Sequence, residues 1–177
     1  PMSVPAAPPD IADIEAAAAR LAGHAAVTPL LEWAELNART GARVLIKPET
    51  LQRTGSFKFR GAFNKIACLR EGPRPPGAVV AYSSGNHAQG VAAAAAMAGL
   101  AAVIVMPADA PAIKIAGTRA RGAEVVLYDR YREQREAVAA ALAAERGAAL
   151  IRPYDDPDVI AGQGTVGDEI ARQAAAL

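Results

Sequence analysis

The sequence predicts an α/β fold built on a parallel sheet. Three observations carry that prediction. From Ala78 to Arg152, short apolar runs alternate with helix-length stretches, the rhythm of strands joined by crossover helices. Gly99, Gly122 and Gly147 fall where those helices must end. The run Gly72-Pro73-Arg74-Pro75-Pro76-Gly77 is a linker that sets this unit apart from what precedes it.

Each element has its own signal. Residues 3–9 are rich in proline and alanine and are expected to be loose. Asp10 is the N-cap of a helix to about Ala22, since Ile11, Ile14 and Leu21 fall near one face. Thr28-Pro29-Leu30 is extended because proline disfavours a helical residue before it. A helix is expected from Glu32 to Ala38, a short buried strand at Val44-Leu45-Ile46, and a helix from Phe57 to Leu69. Beyond the linker come strands at 78–82, 101–106, 125–128 and 149–152. Helices lie between them at 86–98, 111–121 and 132–146. Pro153-Tyr154-Asp155-Asp156-Pro157 breaks the rhythm and leads through Gly162-Gln163-Gly164-Thr165 into a last helix. Asp155, Asp156 and Asp158 are read as turn and cap residues. The expected domains are residues 1–72, residues 73–153, and a return into the first domain over residues 154–177.

Composition narrows the function. The chain has 177 residues, enough for a real core, and a net charge of +1. No dense basic run supports binding to nucleic acid or to a membrane surface. The most apolar stretch, Val91 to Met106, is too short for a span and is split by Gly99. Pro1-Met2-Ser3 reads as a remnant ahead of a start at Met2, and no signal peptide follows, so a cytoplasmic protein is expected. Cys68 is the single cysteine and lies in an apolar run, so a buried structural thiol is expected. His24 lies outside any motif, and no metal-ligand spacing occurs in the sequence.

Two stretches carry chemistry. In Thr54-Gly55-Ser56-Phe57-Lys58-Phe59-Arg60-Gly61-Ala62 a lysine sits between phenylalanines with no acidic neighbour. If both rings pack inward, burial disfavours the ammonium form and makes the amine a nucleophile for a carbonyl. The bland alternative is a surface lysine on a short helix. The second stretch is Ser83-Ser84-Gly85-Asn86-His87, which closes a strand and opens a helix. A helix start carries unpaired N–H groups and partial positive charge, a natural seat for a carboxylate or phosphate. Ser84 or Asn86 is the candidate cap, and the bland alternative is an ordinary strand–helix turn.

Together the two stretches resemble the pyridoxal-phosphate enzymes of fold type II, and within them the threonine/serine dehydratase and serine racemase group. The motifs are Thr-Gly-Ser-Phe-Lys-x-Arg-Gly-Ala at 54–62 and Ser-Ser-Gly-Asn-His-Ala-Gln-Gly at 83–90. Agreement extends to Thr28-Pro29-Leu30, Lys47 to Gln52, Val105-Met106-Pro107, Gly122 to Val125 and Gly162 to Thr165. Asn86-His87-Ala88 departs from the Asn-Thr-Gly of the cysteine-synthase branch. Phe59 departs from the Asp expected in threonine synthase.

The resemblance implies a parallel-sheet small domain and an incomplete large one. It implies that Lys58 links covalently to pyridoxal 5'-phosphate and later moves the α-proton. Phe57 would pack beside the cofactor, and Asn86 would bond its ring hydroxyl. Ser83, Ser84, Gly85, Asn86 and His87 would hold the substrate carboxylate, and Ser84 would be the second acid/base of a racemase. The implied reaction is β-elimination of a hydroxy amino acid to a 2-oxo acid and ammonia. Serine racemase and 3-hydroxyaspartate dehydratase are alternatives, and a non-catalytic α/β binding domain is a third. The resemblance also implies a homo-oligomer when full length. The family's glycine-rich phosphate loop is expected after the last helix. On that ground the chain is expected to be an N-terminal fragment with weak cofactor binding and little turnover of its own.

Overall fold

The computed structural model describes residues 7–177. The expectations for Pro1-Met2-Ser3 and for residues 3–6 lie outside the described residues. Helix α1 spans Ile11–Leu21, and Asp10 and Asp13 cap it reciprocally, each side chain accepting from the other's backbone N–H. Strand β1, Leu31–Glu32, pairs antiparallel with β2, Leu45–Ile46, and helix α2, Ala34–Thr40, lies between them. The helix expected from Glu32 starts two residues later because Glu32 is paired in β1. The strand expected to be buried at Val44-Leu45-Ile46 is not: Val44 and Leu45 are half-buried and Ile46 is exposed, as is its partner Leu31 in this two-stranded ribbon.

Helix α3 spans Lys58–Glu71. Four parallel strands follow, β3 (Ala78–Tyr82), β4 (Ala101–Pro107), β5 (Glu124–Tyr128) and β6 (Ala149–Ile151). They are joined by α4 (Asn86–Met97), α5 (Ala112–Arg119) and α6 (Arg135–Glu145). The sheet order is β5-β4-β3-β6, all parallel. Side-chain alternation in β3 serves two cores. Val79 and Ala81 face α3 and α4, with Phe59, Ala62, Val91 and Ile104, whereas Val80 and Tyr82 face α6, with Val103, Val105 and Ala139. Helix α6 begins at Arg135 rather than 132 because Asp129 organises a separate turn, accepting from Tyr131 and Glu133.

Helix α7 spans Pro157–Ala174. Asp156 caps it, accepting from the N–H groups of Asp158 and Val159, with proline in the first turn. Asp156 is thus a cap as expected, and Lys65 adds what was not expected, an ion pair to both Asp156 and Asp158 at 2.9 Å. The glycines of Gly162-Gln163-Gly164-Thr165 do not precede the last helix but lie inside it. Glycine weakens a helix interior, so contact must compensate. A side chain on Gly162 would meet the carbonyl of Arg60 and the Cα of Gly61 at 2.7 Å. The backbones of α3 and α7 therefore touch there.

Gly162→Ala is expected to destabilise the chain by about 2–3 kcal/mol by forcing α3 and α7 apart. Denaturant unfolding measures this. A stability within error of the parent, with α3 unmoved, rules the close contact out.

Candidate active site

The strand order reverses at β3. β4 and β5 follow on one side of it and β6 lies on the other. In open parallel sheets, ligands bind outside the carboxyl ends of the strands at such a switch point. Both sequence motifs converge here. The segment after β3 is Ser83 to His87, and the segment after β6 is Arg152-Pro153. Lys58 reaches across from α3, and its Nζ donates to the Pro153 carbonyl at 2.7 Å.

The turn ahead of Lys58 is unusual. Thr54 has φ +64° and Gly55 φ +74°, two successive left-handed residues. Threonine rarely takes that conformation, and its hydroxyl is buried without a hydrogen-bond partner. The turn drives the chain abruptly into α3, so that Lys58 opens the helix. Helix α4 lies directly on this point, because a side chain on Gly90 would meet the Lys58 carbonyl at 3.1 Å.

The lysine's surroundings match the sequence reading in part. Phe59 is fully buried, but Phe57 is 42% exposed, so only one of the two rings packs inward. Successive residues entering a helix point about 100° apart, and only Phe59 faces the core. Phe57 instead flanks the amine, with Nζ 5.3 Å from its ring centroid. Burial lowers the Lys58 pKa below the ordinary lysine value. No carboxylate pairs with it among the described residues.

The loop after β3 differs from the expectation in one respect. Neither Ser84 nor Asn86 caps α4, and the N-cap is Gly85 with no side-chain bond. Ser83 Oγ accepts from the Gly85 N–H at 3.1 Å, which curls the loop. The first N–H groups of α4 therefore remain open. Ser84 and Asn86 are exposed at this mouth, and neither side chain has a hydrogen-bond partner among the described residues.

His87 is the buried member. Its Nε2 lies 3.4 Å from the Ile151 carbonyl, and its Nδ1 has no partner. Burial pushes its pKa down to about 4, the Ile151 carbonyl opposes this weakly, and the Lys58 charge adds to it. The ring is therefore neutral at pH 7. A histidine with a depressed folded pKa gives stability that is complete above the unfolded value, about 6.5, and lost as pH falls towards the folded one. His87→Gln is expected to flatten the fall in stability between about pH 6.5 and about pH 4. Parallel pH-dependent melts of parent and variant would exclude this role.

Several residues of the site carried no signal of their own in the sequence. Pro153 offers only a backbone carbonyl, and Lys114 reaches the Gly85 loop from α5. Gly90 stood in the quoted motif without a role. Cys68 is half-buried rather than buried, and burial pushes its thiol up to about 11, which keeps it protonated.

The residues present fit a carbonyl-bearing anionic cofactor at its reactive end. The amine is partly desolvated and has no acidic partner among the described residues, a backbone carbonyl and a ring flank it, and an orphan ring nitrogen lies buried beside an open helix start. Comparison with known proteins points the same way. Residues 21–177 match the family described as pyridoxal-phosphate dependent enzyme. An L-threo-3-hydroxyaspartate ammonia-lyase from Pseudomonas sp is 56% identical over 158 residues, covering 89% of this chain and 49% of that protein. A serine racemase from Schizosaccharomyces pombe is 41% identical over 169 residues, 96% of this chain and 52% of that protein. Among solved structures, a threonine deaminase from T.th. superposes with a TM-score of 0.86 at 50% identity, covering 95% of this chain and 53% of the other. The chain spans about half the length of the curated relatives it matches. No helix among the described residues is long and apolar enough to cross a membrane.

Proposed function

Because the chain belongs to the pyridoxal-phosphate dependent enzyme family, we propose that it carries the lysine and the carboxylate loop of an ammonia-lyase. The reaction is β-elimination of a hydroxy amino acid to a 2-oxo acid and ammonia. The observation that carries this reading is the Lys58 amine. It is partly desolvated, without an acidic partner among the described residues, and fixed at the sheet's switch point beside an uncapped helix start. The α/β architecture with its parallel sheet is that of the fold type II enzymes.

When bound, the pyridoxal group supplies the electron sink for charge at the substrate's α-carbon. Lys58 is the residue to hold it and to move the α-proton, and its lowered pKa leaves the amine free at a lower pH than a surface lysine's. The side chain of Asn86 serves the ring hydroxyl, and Phe57 walls the amine. The loop Ser83, Ser84, Gly85, Asn86 and His87 holds the substrate carboxylate, through the open N–H groups at the start of α4 and the free side chains of Ser84 and Asn86. Neutral His87 adds no charge that would compete with Lys58. Loss of the β-hydroxyl leaves an enamine, which water converts to the oxo acid and ammonia. In this reading residues 1–72 and 154–177 belong to one domain, because α7 packs on α1 and α3, and residues 73–153 form the other. A homo-oligomer is part of the proposal.

Racemisation is the second reading, and Ser84 favours it through its exposed, unbonded hydroxyl at the loop mouth. The test is to incubate the holoenzyme with L-threonine, L-serine and L-threo-3-hydroxyaspartate. 2-Oxo acid and ammonia in equal amounts support the lyase, whereas D-amino acid without oxo acid supports the racemase. Neither product from any of the three removes both.

A further inference from the structure

Three helices start around this site, and their first turns are unlike those elsewhere in the chain. α1, α2, α6 and α7 each carry an acid there, Asp13, Glu35, Glu136 and Asp158, as helix polarity favours. α3, α4 and α5 carry none. Two of these carry a lysine instead. Lys58 opens α3, and Lys114 lies in the first turn of α5. A cation at a helix start is opposed by the macrodipole, so Lys114 is placed against local preference.

Its position is specific. Lys114 Nζ lies 3.3 Å from where a Gly85 side chain would begin, and its Cδ lies 3.9 Å away. The lysine stem thus lies over the carboxylate loop, and glycine at 85 leaves room for it. Among the described residues Lys114 has no ion pair, as is also true of the exposed Arg39, Arg74, Arg119 and Arg152; what distinguishes it is its place over the Gly85 loop. An unpaired ammonium beside an uncapped helix start is an arrangement that an anion relieves.

We propose that Lys114 is a specificity-determining residue that binds the second carboxylate of a dicarboxylic 3-hydroxy amino acid. The proposal rests on the lyase reading and sharpens its substrate class. The argument is one of charge balance. The α4 start, with its open N–H groups, accounts for one carboxylate. Lys58 is committed to the reaction. Lys114 adds a whole positive charge over that loop, while Arg152 adds another at the end of β6; a second carboxylate matches Lys114, which the side chain of serine or threonine leaves idle.

The test compares the parent holoenzyme with Lys114→Met and Lys114→Arg. Steady-state rates are measured with L-threo-3-hydroxyaspartate, L-serine and L-threonine, and succinate binding is measured by calorimetry. Loss of a charge-assisted contact is expected to lower kcat/KM for hydroxyaspartate about 10- to 100-fold more than for serine, chiefly through KM. Succinate binding weakens in step, and arginine restores most of both. Equal losses with all three substrates overturn the proposal, because Lys114 then serves the α-carboxylate or the fold. Succinate binding that is unaffected by Lys114→Met overturns it as well. A parent that turns over none of the three counts against the lyase reading alone, since succinate binding still reads out Lys114.

Discussion

Exchanging Lys58 for alanine is expected to lower turnover of every hydroxy amino acid by more than about a thousandfold while leaving the chain folded. The two parts of this expectation have separate causes. Catalytically, in the proposed reading the amine is both the group that takes the cofactor and the group that moves the α-proton, and among the described residues no other amine reaches the Pro153 carbonyl. Structurally, its side chain makes that single hydrogen bond, a loss of about 1 kcal/mol, partly offset because alanine suits a helix better than lysine. Lys58→Arg separates charge from chemistry. It keeps a cation beside Phe57 but removes the nucleophile, so it is expected to be as inactive as the alanine variant. Steady-state assay of the oxo acid, visible absorption of bound cofactor and a thermal melt check the three statements. Activity within tenfold of the parent in either variant removes Lys58 from the chemistry.

The lysine and the loop were legible in the sequence because each is a local signal. Glycine, small hydroxyls and an unaccompanied lysine stand within nine residues at 54–62. The loop follows a strand whose bounds, Ala78 to Tyr82, agree with the apolar run. The parallel sheet was legible for the same reason, since fully buried strands read as continuous apolar runs. What the sequence concealed is whatever depends on distant partners. The Gly162-Gln163-Gly164 run looks like a loop until α3 is seen to press against it, because only that contact makes glycine useful inside a helix. The capping expectation at Ser84 and Asn86 failed through a general preference: serine and asparagine do favour N-caps, yet here Ser83 turns the loop and leaves the helix start open for a ligand. Arg60 shows the limit most clearly. It stands two residues from Lys58, looks like another surface cation, and is 1% exposed.

Arg60→Met is expected to cost about 3–5 kcal/mol, the penalty for breaking a buried ion pair on one side. Arg60 Nη2 lies 2.8 Å from Glu49 Oε1, and Nη1 lies 2.6 Å from Glu169 Oε1. Lys47 completes the network at 2.6 Å from Glu169 Oε2. Two cations and two anions cancel, so the group persists without water only as a set. Once Arg60 is removed, Glu169 keeps Lys47, but Glu49 keeps only the Thr28 hydroxyl at 2.7 Å. Glu49 is then the stranded charge. Adding Glu49→Gln should therefore recover part of the loss, about 1–2 kcal/mol, so the double variant is more stable than Arg60→Met alone. The network also sets an acid limit. Burial alone would raise the Glu169 pKa, but the hydrogen bonds from Arg60 and Lys47 outweigh it and hold the carboxyl below its ordinary value. A depressed carboxylate stabilises above its unfolded pKa and loses that contribution as pH falls through the folded one. The parent's stability should thus drop below about pH 4.5, and that part of the drop should shrink in Glu169→Gln, which starts from a lower plateau. Denaturant titrations of the parent and the three variants decide the matter. A double variant no more stable than Arg60→Met would show that the cost lies in lost packing around the guanidinium rather than in the charge left behind at Glu49.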